Sequence, residues 1–163
     1  MATTWKTEMT AILRNLIGDT NSENESYDDS RLYQVILTAA QLVQTEVSFP
    51  KTYTVDVNCI SLTPDPTSGS KDNGFINLVS LRAACIIATG EYKTNARMAL
   101  SIRDGPSTID AKGMVDARGQ LAKDYCAAYQ MAKREYQAGN RSAGEAIVGP
   151  HRTIYTGDGG HYR

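Results

Sequence analysis

The side chains in this chain that could do chemistry are few. Asp104, Asp110, Asp116 and Asp124 are carboxylates that could be arranged as a catalytic cluster around a divalent cation. Asp104 and Asp110 flank an Asp104-Gly105-Pro106 turn, where aspartate commonly bonds to nearby backbone. Asp116 and Asp124 lie two helical turns apart on a charged face. The set reads as turn and solvated helix residues, with a metal-dependent enzyme built on Asp104, Asp110 and Asp116 as the competing reading. The two histidines, His151 and His161, sit in a glycine-rich segment with no rigid element to hold a metal ligand. No H-E-x-x-H, G-x-S-x-G or G-x-x-x-x-G-K-[ST] pattern is present. The three cysteines, Cys59, Cys85 and Cys126, include no C-x-x-C and no plausible histidine base. The expectation is buried free thiols in a reducing compartment. No catalytic, cofactor-binding or metal-binding residue is assigned, and the chain is expected not to be an enzyme.

Bulk properties narrow the class. The 163 residues suffice for one domain with one core. With 17 basic and 18 acidic residues, the net charge of −1 does not suit a bulk nucleic-acid binder. The charge is unevenly spread: residues 1–50 hold 3 basic and 7 acidic side chains, residues 101–163 hold 9 and 7. Ends of opposite sign suit a protein that meets neighbours at both ends, copies of itself included, although ordinary solvated surface would look the same. The N-terminus has no basic stretch followed by an apolar run, so no signal peptide is expected. No uninterrupted apolar stretch reaches the ~18 residues of a membrane span.

Periodicity places the elements. Trp5, Met9, Ile12, Leu13, Leu16 and Ile17 fall on one face of a helix over about Thr4–Ile17, ended by Gly18. A polar acidic loop leads to Asp28, Asp29 or Ser30 as the cap of a second helix, running to about Val47. Tyr53, Val55 and Val57 alternate with polar residues, which predicts a strand within an excursion at about 51–63. "INLVSLRAACIIA" is apolar nearly all round and predicts a central buried helix from near Phe75 to about Arg97, with Gly90 inside it. A second excursion at about 99–110 contains the turn. A long helix then spans about Ala111–Ala138. Within it Gly113 and Gly119 either permit close approach to another helix or are simply tolerated. The overall expectation is a mainly α protein: a bundle of about four helices over residues 1–139, with a small β-hairpin or extended excursion and an extended C-terminal tail over 140–163.

Two further groups stand out. Tyr125, Tyr129 and Tyr136 trace a stripe that suits a core or a contact with a neighbouring subunit better than an RNA-stacking platform. The tail holds five glycines and one short apolar island, "RTIY", too little to fold on itself.

This organisation resembles the head–tail connector (adaptor or neck) proteins of tailed bacteriophages. The residues that carry the likeness are "YDDSRLYQVILTAAQLVQTEVSF" (Tyr27–Phe49), "INLVSLRAACIIATGEY" (Ile76–Tyr92), "ALSIRDGPSTIDAKG" (Ala99–Gly113) and "AKDYCAAYQMAKREYQAG" (Ala122–Gly139). The excursion over Lys51–Gly74 is less typical. The resemblance implies a virion protein of the capsid–tail neck, made in the host bacterial cytoplasm. It implies a homo-oligomeric ring of about twelve copies, matching the portal's symmetry, with the portal protein and a downstream neck or tail protein as partners. Packaged DNA would pass through its channel; no membrane is involved. The tail, through His151, Arg152, Thr153, Ile154, Tyr155 and Thr156, would bind the portal. Arg103, Asp104, Tyr125, Tyr129 and Tyr136 would touch neighbouring copies. Another neck or tail-completion protein is the near alternative; a metal-dependent enzyme or a small RNA-binding module is further off.

Overall fold

A computed structural model describes residues 4–21, 23, 25–101 and 111–140. It is mainly helical, with four helices and one small sheet: α1 (Trp5–Ile17), α2 (Asp29–Glu46), β1 (Thr54–Asp56), β2 (Ser61–Thr63), α3 (Asn73–Ser101) and α4 (Ala111–Asn140). β1 and β2 form an antiparallel hairpin in which Val55 faces Leu62. Ala99, Leu100 and Ser101, expected in an extended excursion, instead complete the last turn of α3. The expected turn at Asp104-Gly105-Pro106 and the tail beyond Asn140 lie outside the described residues.

Local chemistry explains the boundaries. Gly18 ends α1 in the left-handed region (φ 76°), and the Asp19 amide donates back to the Arg14 carbonyl. The Thr4 side chain does not cap α1. Asp65, 60 residues away, accepts from the Trp5 amide at 2.9 Å and places its carboxylate at the positive end of the helix. α3 starts at Asn73, earlier than expected, because Asp72 caps it: its carboxylate accepts from the Phe75 amide (3.0 Å) and from the Tyr53 hydroxyl (2.8 Å). The excursion over 51–72 is thus bound at both edges. Lys71 also pairs with Glu8 of α1 at 2.8 Å.

α3 is the central element, packed by α1, α2 and α4. Its stretch Asn73–Arg97 is long and apolar enough to cross a membrane by length and composition alone. More than half of its most apolar window is nevertheless buried by the other helices, as in a core helix. Phe75, Leu78, Val79, Ala83, Ala84 and Ile87 meet Leu32, Ile36, Ala40 and Val43 of α2 and Met9 and Leu13 of α1 in one continuous core. Phe75 anchors an aromatic cluster, stacked on Tyr53 at 4.0 Å and edge-on to Phe49 at 5.2 Å.

α4 runs antiparallel along α3. Gly74 faces Tyr136, Cys85 faces Cys126 and Gly119 faces Tyr92. Gly119 therefore does permit a close approach, of the Tyr92 ring of α3. The expectation of free buried thiols is corrected for two cysteines. Cys85 and Cys126, with Cα atoms 4.8 Å apart, form a disulfide across this seam. Antiparallel packing of two long helices puts residues 41 positions apart side by side, which spacing along the chain does not reveal. Cys59 is free, but exposed rather than buried. The inference of a reducing compartment, which rested on three free thiols, loses that support.

Denatured, unreduced protein should titrate as a single reactive thiol. Reduction should remove roughly 4 kcal/mol of chain-entropy stabilisation and lower the melting temperature by about 10 °C, read by circular dichroism with and without dithiothreitol. A Cβ at Gly74 would meet the Tyr136 ring at 2.3 Å, and at Gly119 the half-exposed Tyr92 ring at 2.9 Å. Gly74→Ala should therefore cost about 1–3 kcal/mol. Gly119→Ala should cost less, because Tyr92 can swing outward and alanine raises helix propensity.

Candidate functional site

The inward face of α4 carries the tyrosines singled out in the sequence. Tyr129 is fully buried. Its hydroxyl donates to Glu46 Oε2 at 2.8 Å, and the Arg82 guanidinium lies 5.0 Å from its ring centre. Tyr136 is half-buried and packs on Phe49 at 5.3 Å. The Tyr125 hydroxyl donates to the Leu16 carbonyl at the end of α1. The stripe is a seam within the chain. For Tyr129 the expected contact with a neighbouring copy is corrected: the chain's own helices enclose it, because α4 turns this face toward α2 and α3. Arg103 and Asp104, and the tail residues His151, Arg152, Thr153, Ile154, Tyr155 and Thr156, lie outside the described residues.

Two charged knots hold the helix ends together. At one, Arg14 of α1 pairs with Asp19 (2.8 Å), Glu25 (2.9 Å) and Asp29 (2.8 Å), and donates to the Tyr27 carbonyl. These hydrogen bonds, that to Asp29 foremost, raise its pKa despite the opposing cost of burial. At the other, Glu46 at the end of α2 accepts from Lys133 (2.8 Å) and Tyr129, with Arg82 at 3.4 Å. The hydrogen bond from Lys133 is the main reason its carboxyl is held below the usual glutamate range, with Tyr129 and Arg82 adding to it against desolvation. Burial, followed by the bond to Glu46, pushes the Tyr129 hydroxyl well above its ordinary value. Both knots are engaged in joining helices.

Among the described residues no three His, Cys, Asp or Glu side chains converge to hold a metal ion. Asp116 and Asp124 are both exposed, and eight helical residues separate them by about 12 Å of rise. They cannot share one ion without outside ligands. Asp124 accepts instead from Gln120 at 2.8 Å.

What remains is the outer face of α4. Ala117, Leu121, Ala128 and Met131 are all exposed, Leu121 by 47% and Met131 by 62%. Their spacings of four, seven and three residues, with Asp124 at the intervening position and Glu135 at the one that follows, fit a heptad. This stripe lies roughly 80–160° around the helix from Tyr129. A 30-residue helix thus uses one side for the core and turns a second, weakly apolar side outward. The sequence reading followed the tyrosines and missed this stripe; the signal was present as a second, offset 3–4 repeat in the same segment.

Comparison with known proteins yields no matching family model, no matching curated protein and no matching solved structure.

Because the pKa of Glu46 is lowered on folding, its contribution to stability is full above the unfolded carboxylate range. It is lost as pH falls through the lower, folded value. Glu46→Gln should depress the melting temperature by a few degrees at neutral pH, and by progressively less as the medium becomes acid enough to protonate the wild-type carboxyl. Parallel thermal melts across that range check this.

Proposed function

We propose that this protein is a structural assembly component, a head–tail connector that packs as a ring of copies between a phage portal and the tail. The observation that carries the reading is the outward face of α4. Leu121 and Met131 stand exposed in heptad register on a helix that is already rigidly held from behind by the disulfide, the Glu46 knot and the aromatic cluster. Large exposed apolar side chains in one stripe mark an interaction surface, and a helix face with this spacing suits helix-on-helix packing between subunits. The charge distribution supports the same reading. Acidic side chains dominate the first 50 residues and basic ones are in slight excess over the last 63, an asymmetry that suits head-to-tail contacts in a ring. The metal-enzyme alternative rests on Asp104, Asp110 and Asp116, of which Asp104 and Asp110 lie outside the described residues.

In this reading the segment after α4 is the portal-binding arm, contributing a strand through Arg152, Thr153, Ile154 and Tyr155. Repetition around the ring supplies avidity that one short segment lacks.

Purified protein should form rings in negative stain and a multimeric mass by light scattering, at least above micromolar concentration. Leu121→Glu with Met131→Glu should reduce that mass to the monomer without lowering helix content. Deleting residues 149–163 should leave the helical fold intact and abolish binding to a portal ring. A charge-substituted double variant that still assembles would overturn the assignment of α4 as the packing face.

A further inference from the structure

A cleft of about 450 Å³ lies where α2, α3 and α4 meet, away from the α4 stripe. Its floor is aliphatic: Val35 of α2 with Ile86 and Ile87 of α3. Gly90 is part of its wall. A Cβ there would meet nothing within 4 Å, so the position has open space in front of it. Such a volume is in the range of sites that take a few side chains or a small ligand.

The polar rim decides what could enter. Thr94 and Asn95 donate back to their own helix, to the Gly90 and Glu91 carbonyls. The Tyr27 hydroxyl donates to Glu91 Oε1. The Glu91 carboxylate also faces Arg118 of α4 at 3.7 Å, too long for a tight pair. Arg31 of α2 is exposed and forms no hydrogen bond or ion pair with the described residues. The donors left for an incoming group are therefore guanidiniums, one of them wholly uncommitted. Two arginines against one glutamate leave a net single positive charge. That balance matches one carboxylate and opposes a dense polyanion, whose phosphates Glu91 would repel.

From this geometry we infer that the cleft binds an acidic peptide segment of a partner protein, with a Glu or Asp side chain on Arg31 and Arg118 and a neighbouring aliphatic side chain on Val35, Ile86 and Ile87. Gly90 sets how deep that aliphatic group sits. The inference does not depend on the ring reading, because the residues involved are distinct from Leu121 and Met131.

The test uses the full chain, labelled with nitrogen-15 and titrated with the capped pentapeptide acetyl-Gly-Leu-Glu-Leu-Gly-amide while amide and arginine side-chain resonances are followed. Shifts should concentrate at Arg31, Gly90, Glu91 and Arg118. The same peptide with Gln for Glu should bind about tenfold more weakly, and raising the salt should weaken the Glu peptide alone. Arg31→Gln should abolish the preference for Glu over Gln. Gly90→Leu, which fills open space in a helix and should not lower the melting temperature, should abolish binding of both peptides. Shifts elsewhere, equal binding of the two peptides, or full binding by either variant would overturn the proposal. No shift at millimolar peptide would do so as well.

Discussion

A helical stretch that is apolar nearly all round must be covered on most of its sides, and the Phe75–Thr89 part of α3 is such a stretch. Every other described element can be understood as cover for it. α1 and α2 form an acid-linked pair across one part of its surface, α4 lies antiparallel along another, and the 51–72 excursion closes its N-terminal end around Phe75. The polar groups that matter most, Asp65, Asp72, Glu46 and Arg14, all act where one cover element meets another. Their energetic weight comes from position: each sits at a helix terminus or a seam, where unpaired backbone groups or charges would otherwise be partly buried.

Covering α3 has a consequence for function. α4 is long enough to seal α3 with one face and still offer a second face along its length. Its cross-links to α3 and α2 hold that second face in fixed geometry, which the proposed contact between copies would require. The cleft beside Gly90 arises from the same packing. Residues of α2, α3 and α4 line it, and Gly90 adds no side chain to its wall.

The helices were largely legible in the residue pattern because amphipathic periodicity is a local property. α1, α2 and α4 fall within a few residues of expectation, and the all-round apolar character of α3 marked it as central. The departures are equally physical. Ala99 to Ser101 were read as extended because the stretch alternates toward the Asp104-Gly105-Pro106 turn, yet a helix continues until its hydrogen bonds are actually interrupted. The α1 cap on Asp65 could not be read locally, since the carboxylate arrives from a distant loop.

Chain composition and spacing were enough to specify a mainly helical protein with a buried third helix and a small extended excursion, because propensity and burial periodicity act over a few residues at a time. They could not say that Cys85 meets Cys126, that Tyr129 is enclosed while Leu121 and Met131 are not, or that Arg31, without a partner among the described residues, shares a cleft with Arg118. Those facts depend on how α4 is rotated and aligned against α3. That rotation is settled by the summed fit of many side chains from separate segments, Gly74 under Tyr136 and Gly119 under Tyr92 among them, and no single segment carries it.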